Sequence, residues 1–498
     1  MYAGQNDISD DQLVHKYEGS LVQNCIIRNI GSVSGRPGLT LVGTDYGDQN
    51  ILGFGPKRIG TKFLTHVVNG ASVSQVELFT SGDWSPVSGA ELTKDRHVFT
   101  IESDNGNVYY FDGDGSHNVG KFDGTNWALV GGMPKGRYPA LWKNFLWIGG
   151  VEAYPRRLYL SNIGDHETFD ASDYIDFPYD IVGVRGYFNL LVVATTHEVF
   201  FIDGSSQTDF VVSGQTVYVP SGFDFGIASH ESMQIVGNEL WGMDREGRIR
   251  RIFRSPNDAI FGGIISDKIE ALTQTFNKNQ LSKVTAAFIN GYYIFFAPVG
   301  SDTENSIGAY YDTRLPLPSG IPSTISRWSV LKGWTPSHLA VYESSQTPEL
   351  YVGESGAHSR IYKWAGTDDN GEEIEMIWRG ARTNNGFPNN PKQYRWGKQM
   401  AQPIGNYTGL IKADIDSTGM YTIKTMNFAG NNKLLGDDWT LGEDELGDQG
   451  KLDTNFFFNE GGADINGKTL QMELYALYAA AIPSWGKQTY LYKVLKMR

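Results

Sequence analysis

The sequence predicts an all-β protein: a β-propeller of six or seven blades with an additional C-terminal β domain. Three observations predict it. A short strand-like phrase recurs along the first 365 residues. Glycine is abundant, at 59 of 498 residues, and aromatic residues reach 13%. Helical periodicity is almost absent.

The recurring phrase is a turn residue followed by an apolar or aromatic run. It begins at Asn144 (NFLWIGG), Asn189 (NLLVVAT), Asn238 (NELWGMD) and Asn290 (NGYYIFF), with related runs at His97 (HVFTI) and Glu349 (ELYVG). After each comes a second run: NVYYFD (107–112), RLYLSN (157–162), EVFFID (198–203), GRIRRI (247–252), IGAYYD (307–312) and RIYKW (360–364). Tyr, Phe, Trp, Val and Ile fill the runs, and Gly, Asn, Asp and Ser separate them, as strands and tight turns require. One such unit leaves apolar surface uncovered. Stacking units of about 40–50 residues around an axis buries both faces of each sheet, which is the propeller solution. A β-sandwich array with coincidental spacing is the alternative. Six units fall between about 93 and 365, and residues 61–90 form either a seventh or a closing strand.

The expected organisation is an N-terminal arm over 1–60 with a turn at Gly35-Arg36-Pro37-Gly38, a propeller over 61–365, and a C-terminal sandwich-like domain, the tip, over 366–498. The polar, acidic stretch 365–373 marks the second boundary. One helix is expected over 265–280, where Ile265, Ile269, Leu272 and Phe276 share a face and Ser266 or Asp267 supplies the cap. A weaker one is expected over 10–17.

Composition excludes several classes. The chain carries 42 Lys+Arg against 56 Asp+Glu, a net charge of −14, and 40% of its residues are apolar. Disorder is inconsistent with that apolar content, and a coiled coil with the glycine. A nucleic-acid grip over the whole surface would need clustered cations. Cys25 is the single cysteine and has no internal partner. The first residues carry neither a basic nor an apolar signal segment. The longest apolar stretches, 188–194 and 474–482, fall short of the roughly 18 residues a membrane helix needs. These features point to a soluble protein assembled in a cytoplasm, without membrane insertion.

Candidate chemistry is sparse. Asp112, Asp114, Ser116, Asn118 and Asp123 occupy positions of a calcium-type loop, but His117 stands where glycine is needed, and a turn between strands explains the same residues. The nine histidines show no zinc spacing, so His197 and His230 read as packed or surface residues. Neither a nucleophile elbow nor a phosphate loop occurs. Glycosidase chemistry would need two carboxylates across a cleft, and none can be paired from sequence. FDGTNW (122–127) approaches an Asp-box turn but lacks its serine. Arg245, Arg248, Arg250, Arg251 and Arg254 form a basic run that reads as a phosphate or carboxylate patch or as a solvated blade edge. The acidic segment 437–448, within the insert 434–453, reads as a solvated loop or the guard of an opening. Trp127, Trp142, Trp147 and Trp241 fall in or beside repeat strands and read as blade core. No catalytic, cofactor-binding or metal residue is assigned, and no cofactor is expected.

Several phrases in order resemble one family. These are NIGSVSGRPGLT (29–40), RRLYLSNIGDHETFD (156–170), NLLVVATTHEVFFIDG, GIASHESMQIVGNELWGMDREGRIRRI (226–252) and LYVGESGAHSRIYKWAGTDDNGEEI (350–374). Together they resemble the tail nozzle and packaged-DNA stabilisation proteins of short-tailed phages (podoviruses). The resemblance implies a virion tail subunit that forms a homohexameric ring below the portal and its adaptor protein. Such a ring extends the DNA channel without sequence specificity, retains packaged DNA, and carries tail spikes, fibres or a needle. It implies no enzyme activity. Two other readings stay open: a receptor- or glycan-binding propeller of a tail fibre, and a glycan-cleaving propeller enzyme.

Overall fold

A computed structural model describes residues 3–7, 14–29, 32–55 except 44 and 48, 64–204 except 81 and 105, 210–213, 225–254, 260–315, 325–342, 347–355, 360–402, 407–428, 452–457, 465–479 and 482–494. Seven four-stranded antiparallel units account for the region predicted as a propeller. Blade 1 runs Ile51–Gly55, Thr65–Asn69, Ser74–Thr80 and Asp83–Leu92. Blades 2 to 6 follow in chain order, with innermost strands Phe99–Glu102, Tyr138–Trp142, Ile181–Tyr187, Gln234–Val236 and Thr285–Ile289. Blade 7 takes Pro336–Tyr342, Glu349–Glu354 and Ile361–Trp364 from one end of the ring. Its fourth strand, Leu39–Leu41, comes from the N-terminal side of blade 1.

Every neighbouring pair of blades shares one apolar cluster. Blades 1 and 2 meet through Leu52, Val67, Val98 and Tyr110. Blades 2 and 3 meet through Tyr109, Phe111, Leu146 and Ile148, and blades 3 and 4 through Trp147, Leu158, Val184 and Phe200. The series continues with Val192, Phe201, Leu240 and Ile252, then Trp241, Ile249, Tyr293 and Phe295, then Ile294, Phe296, Leu339 and Val352. Ile51 and Phe54 of blade 1 pack on Ala340, Tyr351 and Ile361 of blade 7, which closes the circle. Gly353 is required there, because a Cβ would lie 2.7 Å from Ile51. Burial on both faces explains why 190–194 is apolar throughout rather than alternating.

The asparagines of the repeat phrase mark two-residue turns between first and second strands. Lys143 and Asn144 have φ of 50° and 62°, and Asn290 and Gly291 have 48° and 79°. These are the mirror-image turns whose twist suits a hairpin. The repeat phrase is therefore the second strand of its blade, and the run that follows it is the third. Blade 2 is offset by one strand: HVFTI overlaps its first strand and NVYYFD its second. HVFTI has no turn asparagine before it.

The expected arm over 1–60 is not an arm, and the propeller does not begin at 61. Ile51–Gly55 is the innermost strand of blade 1, and Leu39–Leu41 belongs to blade 7. Three strands, Gly19–Gln23, Cys25–Asn29 and Ser32–Gly35, join the C-terminal strands. Gly19–Gln23 pairs with Ile374–Gly380 in a sheet that continues through Leu470–Tyr478, Tyr407–Ile415 and Tyr421–Phe428. Cys25–Asn29 and Ser32–Gly35 join a second sheet with Ser484–Val494, Lys392–Gln402, Leu452–Phe457 and Ile465–Gly467. The two sheets enclose Val22, Cys25, Val33, Met376, Trp378, Ile411, Leu474 and Trp485. Gly19–Gln23 also runs parallel to the last strand of blade 6, Trp328–Leu331, so one sheet passes from propeller into sandwich. Sequence order hid this, because strands far apart in the chain complete each other's edges.

The helix expected over 265–280 is broken into a 3-10 turn at Asp267–Ile269, a short α-helix at Glu270–Gln274 and a second 3-10 segment at Lys278–Lys283. Its apolar face is as expected, with Ile269 and Phe276 buried and Ile265 and Leu272 packed against them. Its cap is not. The Ser266 hydroxyl accepts the Ile249 N–H, and the Asp7 carboxylate accepts the Ala271 and Leu272 N–H groups at 3.0 and 3.1 Å. Of the weak helix over 10–17, residues 14–17 are not helical and 10–13 lie outside the described residues.

Candidate functional site at the propeller axis

A propeller's innermost strands surround an axial cavity, and the polar side chains there are the first place to look for function. Here the cavity is about 390 Å³ and is lined by Thr100, Glu102, Arg185, His230 and Gln234 among others. A polar line that includes Glu231, part of the cavity wall, crosses the axis. Glu231, in the connection entering blade 5, accepts Nδ1–H of His338 (blade 7) at 2.9 Å and the Thr285 hydroxyl (blade 6) at 2.8 Å. Nε2 of His338 meets Nδ1 of His97, at the entry to blade 2, at 2.7 Å. His230 sets its ring edge-on to Phe99 at 5.2 Å, joining blades 2 and 5 a second time. Blades 2 and 5 lie on opposite sides of a seven-membered ring, so these contacts fill the centre.

The chemistry of this line is positional. Burial first, and then the neighbouring His338, pull the pKa of His97 down to about 3, so His97 is neutral at pH 7. The Thr285 hydroxyl donates to Glu231 and accepts the Leu339 N–H, so it is aimed at the acid rather than at an imidazole. That is not the nucleophile–base arrangement of a hydrolase. Desolvation lowers the pKa of Arg185, with the Glu231 carboxylate acting against it, and its guanidinium reaches Gln234 at 3.4 Å. None of these residues is visible as a group in the sequence, where they are spread from 97 to 338.

His97 and His66 carry a prediction. His66 is fully buried among Tyr46, Phe54 and Trp84, and burial lowers its pKa to about 3. Both histidines stay neutral in the fold while the unfolded chain takes up protons below about pH 6.5. Their stabilising contribution is complete above that pH and falls as pH drops toward 3. At pH 5 each should have lost about 2 kcal/mol. Asp7, Glu77 and Asp312, whose carboxyl pKa values burial raises, act in the opposite direction at lower pH. Denaturant midpoints from pH 7.5 to 5 should fall, and His66→Phe should flatten the curve by about half. A flat wild-type curve contradicts this account.

Asp112 and Asp114 form a turn between second and third strands of blade 2: Asp112 accepts the Asp114 N–H, and Asp114 accepts the Ser116 N–H. Asp123 sits at the opposite end of the strand Val119–Phe122, accepting Thr125 and Asn126 N–H groups in a different turn. The calcium-type frame is thus split across a strand. Among the described residues no group of three His, Cys, Asp or Glu could hold a metal ion, and no helix is long and apolar enough to cross a membrane. The basic run is largely committed: Arg250 pairs with buried Asp244 at 2.7 Å, Arg251 with Glu239 at 3.3 Å, and Arg248 with Glu270 at 3.7 Å. Arg245 donates to the Thr196 carbonyl. Trp142, Trp147 and Trp241 are buried blade core, and Trp127 is half-buried against Tyr110. His197 stacks on Tyr179. Residues 434–451 of the acidic insert lie outside the described residues.

Seven closed blades and a plugged axis define the chain as a β-propeller protein. No protein family's sequence profile matches it, and no curated protein does. Among solved structures it is similar to the WD40 β-propeller domain of Doa1, at 8% identity and TM-score 0.38, covering 66% of this chain and 97% of that one. It is also similar to Saccharomyces cerevisiae Sqt1, at 12% identity and TM-score 0.40, covering 66% and 99%. A third is BamB from Moraxella catarrhalis, at 12% identity and TM-score 0.36, covering 68% and 93%.

Proposed function

We propose that this chain is a structural tail subunit of a short-tailed phage, a nozzle or head-completion protein. Copies of it form a ring that extends the DNA channel, retains packaged DNA and anchors spikes or fibres. The observation that carries the reading is mechanical. Gly19–Gln23, Cys25–Asn29 and Ser32–Gly35 are woven into the sandwich, Gly19–Gln23 also runs along the edge of blade 6, and Leu39–Leu41 enters blade 7, so the two bodies are joined by backbone pairing and not by a hinge. A wall piece that must hold against internal pressure needs such continuity. The axis is braced by its own side chains, so the DNA path runs between subunits rather than through a propeller. Six copies, at −14 each, would carry −84. An acidic wall repels duplex DNA and lets it slide, over a screening length of about 8 Å.

Imaging of the intact particle, with mass photometry of the purified chain beside its adaptor, tests the reading. A six-membered ring is the expected result. A trimeric rod favours a fibre, and a monomer that neither joins the particle nor binds the adaptor overturns the proposal. Replacing lumen-facing carboxylates by lysine should slow ejection, and unchanged ejection kinetics count against the acidic wall.

A further inference from the structure

We infer that a cleft between blades 6 and 7, beside the sandwich, is a binding site for a neutral oligosaccharide. The cleft has a volume of about 610 Å³, within the range of small-ligand sites. Two half-buried rings, Tyr292 and Trp364, make an aromatic corner, their centroids 6.3 Å apart and their planes at 74°. The charged groups of the lining are Asp312, Arg314, Glu349 and Lys363. These are two acids and two bases, so the cleft has no net charge to select a phosphate or a strongly charged peptide. It offers acceptors and donors around aromatic faces. A pyranose presents the complement: an apolar C–H face for a ring and a rim of hydroxyls that both donate and accept.

The groups are held in place before any ligand arrives. Trp364 Nε1–H donates to the Pro37 carbonyl at 3.2 Å. Lys363 donates to Glu349 at 2.6 Å, and the Tyr351 hydroxyl donates to the same carboxylate. The Arg314 guanidinium lies 4.5 Å over the Tyr292 ring, and Asp312 accepts the Arg314 backbone N–H at 2.8 Å. The Arg314 side chain crosses the Asn290–Gly291 turn, where a Cβ on residue 291 would come within 2.3 Å of it. Glycine at 291 therefore serves the turn and the cleft together. Burial raises the pKa of Asp312, in keeping with a partly desolvated site.

Saturation-transfer NMR and tryptophan fluorescence with maltotriose, cellotriose, mannotriose and triacetylchitotriose test the assignment on the full chain. At least one trisaccharide should bind saturably, with an affinity that holds between about 50 and 500 mM salt, because no ion pair with the ligand is involved. Trp364→Ala and Tyr292→Ala should weaken binding at least about tenfold, the equivalent of about 1.4 kcal/mol. Arg314 is half-exposed, so Arg314→Ala keeps the fold and should also weaken binding. Tyr174→Ala, an exposed ring on blade 3, should change nothing. No binding by any of the four sugars overturns the proposal. Binding that survives Arg314→Ala and Tyr292→Ala, or that is replaced by salt-sensitive binding of an acidic or basic peptide, also overturns it. The result is independent of the ring: sugar binding by a monomer that neither joins the particle nor binds the adaptor would sink the nozzle reading alone.

Discussion

Glu231→Leu should destabilise the propeller by about 3–5 kcal/mol, among the largest effects of any single substitution on the axis. The carboxylate is buried and accepts from both His338 and Thr285. Leucine leaves an imidazole N–H and a hydroxyl without that acceptor, at about 1–3 kcal/mol for each stranded donor. It also removes a group that ties blades 5, 6 and 7 across the centre. Glu231→Gln keeps an acceptor of the same shape and should cost less than half as much. Chemical denaturation of the three proteins side by side gives the ranking wild type, then glutamine, then leucine. A leucine variant as stable as wild type would mean that the cross-axis line contributes nothing to ring closure.

Arg36→Ala should cost a similar amount, about 3–5 kcal/mol, at the other junction of the fold. Arg36 is fully buried, and all five of its N–H donors are used. Nε donates to Asn24 at 3.0 Å. Nη1 donates to the Pro37 carbonyl and to Asp369 at 3.0 and 2.8 Å, and Nη2 to the Lys332 carbonyl and to Asp369 at 3.1 and 2.5 Å. Its guanidinium also lies 4.7 Å over the Trp334 ring. This one side chain binds the N-terminal turn, blade 6, and the segment that leaves blade 7. Arg36→Lys has three donors in a different geometry and should recover only part of the loss. Arg156→Ala is the control: its pair with Asp180 is mostly exposed and should be worth less than about 1 kcal/mol. If Arg36→Ala and Arg156→Ala melt together, the junction is not held by Arg36. Limited proteolysis should show the first 38 residues released early in Arg36→Ala.

Both sites were invisible in the sequence for the same reason. Arg36 stood in a legible turn, Gly35-Arg36-Pro37-Gly38, but Asp369 is more than three hundred residues away. His97, Glu231 and His338 belong to three different repeats, and no spacing rule joins them. The aromatic cleft has the same character: Tyr292 opens a legible strand and Trp364 ends another, yet only the ring brings them together. The split of the calcium-type frame is the reverse case. A spacing that looked like one loop is divided by a strand, because Val119 and Phe122 are blade core.

What the sequence by itself determined is the blade. Apolar runs of strand length, closed by asparagine and glycine turns, fold the same way wherever they occur, because hairpin twist and local burial are decided within about fifty residues. It also determined that Trp142, Trp147 and Trp241 would be core. Only the tertiary structure decided the number seven, the closure by Leu39–Leu41, and the sharing of Gly19–Gln23, Cys25–Asn29 and Ser32–Gly35 with the C-terminal sheets. Those depend on which exposed edges and faces remain when the blades have formed, and an unpaired strand edge accepts any partner that reaches it, however distant in the chain.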